Sequence, residues 1–204
     1  MFAAAQDNIY TDCDGATDEG LSKEFSTQIT TVAVGQPPDR FDWSVVNGPG
    51  QFAYLFGGFS VHHEGGGAVH LLNDFWRYDG LYHRWVKRAT APPARAGHAV
   101  TYDPHYDIIV LHGGLKSATL SVAPWWVTGP SRADMWVYDR KTDTWSEVTQ
   151  DMSALGTQVR RTYHSLTPLG DGSFLLHGGV SDKPILPAHQ TLRVTLKPSS
   201  PDEG

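Results

Sequence analysis

Residues 95–114 read RAGHAVTYDPHYDIIVLHGG and residues 133–145 read ADMWVYDRKTDTW. In the first stretch, HAVTYD at 98–103 alternates apolar and polar side chains, breaks at Asp103-Pro104, and returns as the unbroken apolar run of 108–111. Alternation, a turn and then an apolar run predict a hairpin whose second strand is buried on both faces. In the second stretch Trp136 and Tyr138 share one face of a strand, RKTD turns, and a strand returns from Trp145. Strands near 98–103, 107–112, 134–139 and 144–149 are therefore expected in one antiparallel sheet, with no helix longer than two turns across 92–149.

Working outward, the same pattern recurs. FAYLFGG at 52–58, IIVLHGG at 108–114 and FLLHGG at 174–179 are three apolar runs closed by a glycine pair. Arg40, Arg95 and Arg161 stand at matching distances upstream, and in two copies a histidine follows the arginine, His98 and His164. NDFWRYDGLYHRW at 73–85 matches ADMWVYDRKTDTW, with Trp76 to Trp85 spaced as Trp136 to Trp145. One unit is thus four antiparallel strands, a to d. A glycine pair behind an interior strand marks a sharp backbone turn packed close to a neighbour, where a side chain does not fit.

A four-stranded unit with a glycine pair, a Tyr-Asp and a trailing Trp resembles the kelch repeat, one blade of a β-propeller; the resemblance covers about residues 37–197. It implies an all-β fold of kelch-type blades in an incomplete or open ring. Residues 1–36 form an acidic segment that includes two candidate strands of a preceding blade. Blades follow at 37–91 and 92–157, a partial blade at 158–197 and a tail at 198–204. That makes about three and a quarter blades, against the roughly 4–8 with which propellers close, so a closed monomeric ring is not expected. The long insertions, 59–72 and 115–132, lie between strands b and c. The b–c loops and the d–a links share one face of the disc.

Composition narrows the function classes. Apolar residues are 40% and charged residues 19% of the chain, as in ordinary globular proteins. Five of the six excess negative charges fall in residues 1–36, and no basic footprint for nucleic acid is present. No run approaches a membrane span, and no secretory leader is read at the N-terminus, so a cytoplasmic protein is expected. The single cysteine, Cys13, excludes an intrachain disulfide and a cysteine-rich zinc site.

For function, the loop face is the candidate. It carries Trp125, Trp126 and Arg132 from one insertion and His62 and His63 from another, with Arg40, Arg95 and Arg161 at the start of strand a. Two adjacent tryptophans in a Gly/Pro-rich loop either contact a partner or plug a gap against the next blade. In kelch adaptors, arginines at this repeat position can line a face that captures acidic peptides, which implies a protein partner offering an acidic, extended segment. The other reading ties each arginine to a neighbouring loop carbonyl or Asp. A protein-interaction scaffold follows, with further blades or a second copy as other partners. No catalytic residue, cofactor or metal is assigned.

The alternative is an enzyme or metal-binding propeller whose site is completed by residues outside the chain. Galactose-oxidase-like copper enzymes need a Cys–Tyr cross-link within the repeats, whereas Cys13 lies outside them. The Asp103, Asp107 and His112 set departs from the iron motif of the plant specifier proteins. His112 and His177, both directly before a glycine pair, would converge on a metal only if both faced a central channel.

Overall fold

The computed structural model describes residues 35–62, 68–88, 92–120, 127–148, 158–182, 185–187 and 190–196. Among the described residues every regular element longer than a single 3₁₀ turn is a strand. In chain order the first unit comprises β1 (Ser44–Asn47), β2 (Phe52–Phe56), a ribbon of β3 (Phe59–His62) and β4 (Ala68–Leu71), then β5 (Phe75–Asp79) and β6 (Arg84–Arg88). The second comprises β7 (Ala99–Asp103), β8 (Ile108–His112), β9 (Thr119–Leu120), β10 (Val127–Thr128), β11 (Met135–Asp139) and β12 (Thr144–Glu147). The third holds β13 (Ser165–Pro168), β14 (Ser173–His177), β15 (Val180–Asp182), β16 (Ile185–Pro187) and β17 (Leu192–Thr195).

The first two units form four-stranded antiparallel sheets ordered β1-β2-β5-β6 and β7-β8-β11-β12, and the third a three-stranded sheet, β13-β14-β17. The hairpin of 98–112 and the hairpin of 133–147 thus join edge to edge as expected, with Trp136 opposite Leu111 and Tyr138 opposite Ile109.

Strand alternation makes β8 the centre of the stack. Ile109 and Leu111 face the first sheet, meeting Tyr54, Phe56 and Phe75, with Tyr138 beside them. Val110 and Met135 face the third sheet, meeting Leu166, Phe174, Leu176 and Val194. Both faces of the middle sheet are therefore covered, which is why its central strand reads as an unbroken apolar run. Burying each such side chain stabilises by about 1.5–3 kcal/mol. The first strands β1, β7 and β13 are neighbours across the stack.

The Tyr-Asp of the repeat has a local cause. Asp79, Asp103 and Asp139 each accept at Oδ1 the backbone N–H groups two and three residues on, closing the turn after the strand. Each turn then ends in a left-handed residue, His83, Asp107 or Asp143. The preceding tyrosine hydroxyl of 78, 102 or 138 bonds that residue's side chain. Asp103 and Asp107 are thus spent on a hairpin turn.

The b–c insertions fold into two-stranded ribbons, β3-β4, β9-β10 and β15-β16, where the sequence was read as loops. The first and third ribbons start directly after their glycine pairs and the second four residues beyond its own, and the residue after each pair is bridged to the segment entering strand a, Phe41 with Phe59, Ala96 with Leu115, Thr162 with Val180. Phe59, Ala96 and Leu115 make a small core there with Val61, Val69, Leu71 and Ala118.

Candidate functional site

The arginine that precedes the first strand of each sheet is built into the backbone. Arg40 donates from Nε to the Pro38 carbonyl (3.0 Å), from Nη1 to the Gly57 carbonyl (3.0 Å), and from Nη1 and Nη2 to the two oxygens of Asp74 (2.6 and 2.7 Å). Arg95 repeats this with Pro93 (3.0 Å), Gly113 (2.9 Å) and Asp134 (2.9 and 2.7 Å). The Trp76 and Trp136 indoles donate to the same carboxylates, at 2.6 and 2.9 Å. Burial works against the charge of Asp74 and Asp134. Hydrogen bonds from the arginine and the indole outweigh it and hold both carboxyls below their usual range.

Of the two readings of the arginines, this geometry is the one that ties them to a loop carbonyl and an Asp. Arg95 and Arg161 are fully buried, and the Arg40 side chain is 3% exposed, so they do not form an open ring of guanidiniums. The partners Asp74 and Asp134 were legible only in part: they sit two residues before Trp76 and Trp136, but nothing in the sequence links them to arginines 34 and 39 positions earlier.

The third copy departs from the pattern. Arg161 donates from Nε to the Gln158 carbonyl (2.5 Å) and from Nη1 to the carbonyls of Gly178 (3.2 Å) and Gln190 (2.8 Å). Among the described residues no carboxylate answers it, and its Nη2 is buried without a hydrogen-bond partner. Leu192 stands opposite Leu176 where Trp136 stands opposite Leu111, so the indole donor is gone as well. Burial alone lowers the pKa of this guanidinium.

The histidines divide between the sheet boundaries. His98 sits between the first and second sheets, its ring edge-on to Phe56 at 5.3 Å. Between the second and third, His112 Nδ1 and His164 Nε2 share a hydrogen bond of 2.9 Å. His177 is exposed and bonds Thr191 Oγ1 at 2.8 Å. The convergence of His112 with His177 is therefore corrected: His112 turns to His164 in the neighbouring sheet. Burial pushes His98 down to about 3, His112 to about 4 and His164 to about 2. Among the described residues no group of three His, Cys, Asp or Glu side chains is placed to hold a metal ion.

Arg132 is half-buried, with Nε unpartnered, at the foot of the second ribbon. His62 contributes its backbone to β3, paired with Ala68. Trp125, Trp126 and His63 lie outside the described residues. A contact that the sequence did not flag crosses the stack: the Tyr163 hydroxyl donates to Asp42 Oδ2 at 2.7 Å, joining the third unit to the first over Gly97. Asp42, Gly97 and Tyr163 occupy the same place after the blade arginine, and all three have positive φ. The chain matches no model of a known protein family, and no curated protein matches it.

Proposed function

We propose that the chain is a protein-interaction scaffold of kelch-like blades that binds its partner through the face carrying the b–c ribbons and the d–a links. The observation that carries this reading is that the described part of each b–c insertion is a paired ribbon bridged at its base to the segment entering its own strand a, so the base of the face has fixed relief. Recognition usually resides in such connections when a rigid scaffold positions them. Stacked sheets with both faces of the middle one covered provide that rigidity.

Site-specific photo-crosslinking tests the assignment of the face. A crosslinking amino acid at the exposed Lys116, beside the second ribbon, is expected to trap one discrete partner. The same group at Lys141, on the c–d turn at the opposite end of the sheet, is expected not to. Trapping of the same species from both positions, or only from Lys141, would remove the reason for choosing the ribbon face.

A further inference from the structure

Three arginines in equivalent places, two carrying an internal carboxylate and one without, say what the third lacks. In the first sheet Arg40 Nη2 meets Asp74 Oδ2, and in the second Arg95 Nη2 meets Asp134 Oδ2, both at 2.7 Å. In the third sheet Gln190 stands where those aspartates stand, and its backbone carbonyl takes Nη1. The corresponding Nη2 has no partner, although Arg161 is fully buried. A buried guanidinium without a counter-charge is costly, because neither water nor a carboxylate replaces its lost hydration.

We propose that Arg161 is a receptor for a carboxylate from outside the sheet, one of whose oxygens takes the Nη2 position that Asp74 and Asp134 fill in the other two. The carboxylate belongs either to a small free acid or to an acidic side chain of a bound segment. This rests on the reading of the ribbon face as a binding face and gives the partner its chemistry. Only Arg161 of the three is free to act this way, since Arg40 and Arg95 are already neutralised.

Access comes from the end of the stack. A Cβ added at Gly57 or Gly113 would meet the next sheet's arginine carbonyl at 2.7 or 2.5 Å, whereas at Gly178 it would meet nothing within 4 Å. Gln158 and Gln190, whose carbonyls hold the guanidinium, are themselves exposed, so it lies one layer beneath the surface.

The test uses the full chain with ¹⁵N-labelled arginine. Side-chain resonances are followed while sodium acetate replaces sodium chloride at constant ionic strength. Acetate is expected to shift the Arg161 signals saturably and leave those of Arg95 in place. A blocked Asp-containing peptide and its Asn counterpart form the second arm. Tenfold tighter action of the Asp peptide than of acetate identifies a partner's side chain as the source, and response to acetate alone identifies a small free acid. Gln190→Asp supplies the carboxylate from within and is expected to raise the melting temperature and to suppress the acetate shift. Arg161 signals unmoved by acetate and by peptide alike, or moved no more than those of Arg95, would overturn the proposal. Because these readouts need no natural partner, the subsite can fail while the crosslinking result stands, and the reverse.

Discussion

Gly113 and Gly178 hold the same backbone conformation, φ +68° and +70°, in opposite surroundings. A Cβ at Gly113 would lie 2.5 Å from the Arg161 carbonyl and 2.9 Å from the His164 ring, while at Gly178 the space is open. Both alanine variants carry the left-handed strain of about 1–2 kcal/mol. Gly113→Ala is expected to cost about 1–3 kcal/mol more, because the neighbouring sheet has to move aside. Urea denaturation of the two variants checks this, and equal losses would show that the sheets do not approach as closely as placed. The same contrast applies to charge. Asp134→Ala strands the buried Arg95 guanidinium and is expected to cost about 3–5 kcal/mol. Asp171→Ala breaks the exposed pair with Arg193 and the bonds that the carboxylate accepts from the Ser173 N–H and hydroxyl, and is expected to lower the urea midpoint by clearly less.

At the scale of elements, the sheet boundaries contain imidazoles that fold neutral. His98 lies against Phe56 with Arg95 nearby. His112 and His164 lie against each other, with Arg95, Arg161 and Asp134 acting on His112, and Arg161 and His98 acting on His164. Their folded pKa values of about 3, 4 and 2 stand below the roughly 6.5 of an unfolded histidine. The unfolded chain therefore binds more protons below pH 6.5. Stability is fully present above that pH and falls as the pH drops from 6.5 toward 4. At pH 5 the loss is about 2 kcal/mol for each histidine. Urea midpoints at pH 7.5 and 5 measure it, and His164→Asn, which does not titrate, is expected to remove its share; coincident midpoints for the parent chain would mean that these rings take up protons in the fold as readily as in the unfolded chain. The hairpins at these boundaries were legible because alternation, Asp-closed turns and glycine pairs are local signals, repeated with nearly constant spacing. What the ribbons and the arginines do was not legible. Whether β3-β4 pairs as a ribbon or wanders depends on its packing against Ala96 and Leu115 of the next unit. Likewise an arginine at the start of a strand reads the same whether an aspartate meets it, as at Arg95, or none does, as at Arg161.

For the molecule as a whole, the two sides of the third sheet set the limit of the stack. Leu166, Phe174, Leu176, Leu192 and Val194 alternate onto the side facing the second sheet. On the other side stand Ser165, Thr167, His177, Thr191, Arg193 and Thr195, all exposed, with a half-buried Leu175 and a buried Ser173 among them. Apart from Leu175 that side is polar, as the outer face of a terminal repeat is. At the opposite end Trp43 and Val45 are exposed, at 44% and 47%. Two copies placed head to tail would press these apolar groups onto a polar surface, leaving hydroxyls and a guanidinium desolvated without partners. Head-to-tail filaments are therefore not expected, and sedimentation velocity over a hundredfold concentration range should show no continuous growth in size. Lysines on the polar side give the direct check. Thr167→Lys and Thr195→Lys are expected to change stability by no more than about 0.5 kcal/mol, whereas Val110→Lys, fully buried between the second and third sheets, is expected to abolish cooperative unfolding. Destabilisation by the threonine variants comparable to that of Val110→Lys would mean that another surface covers this side, and the third sheet would then be an interior blade.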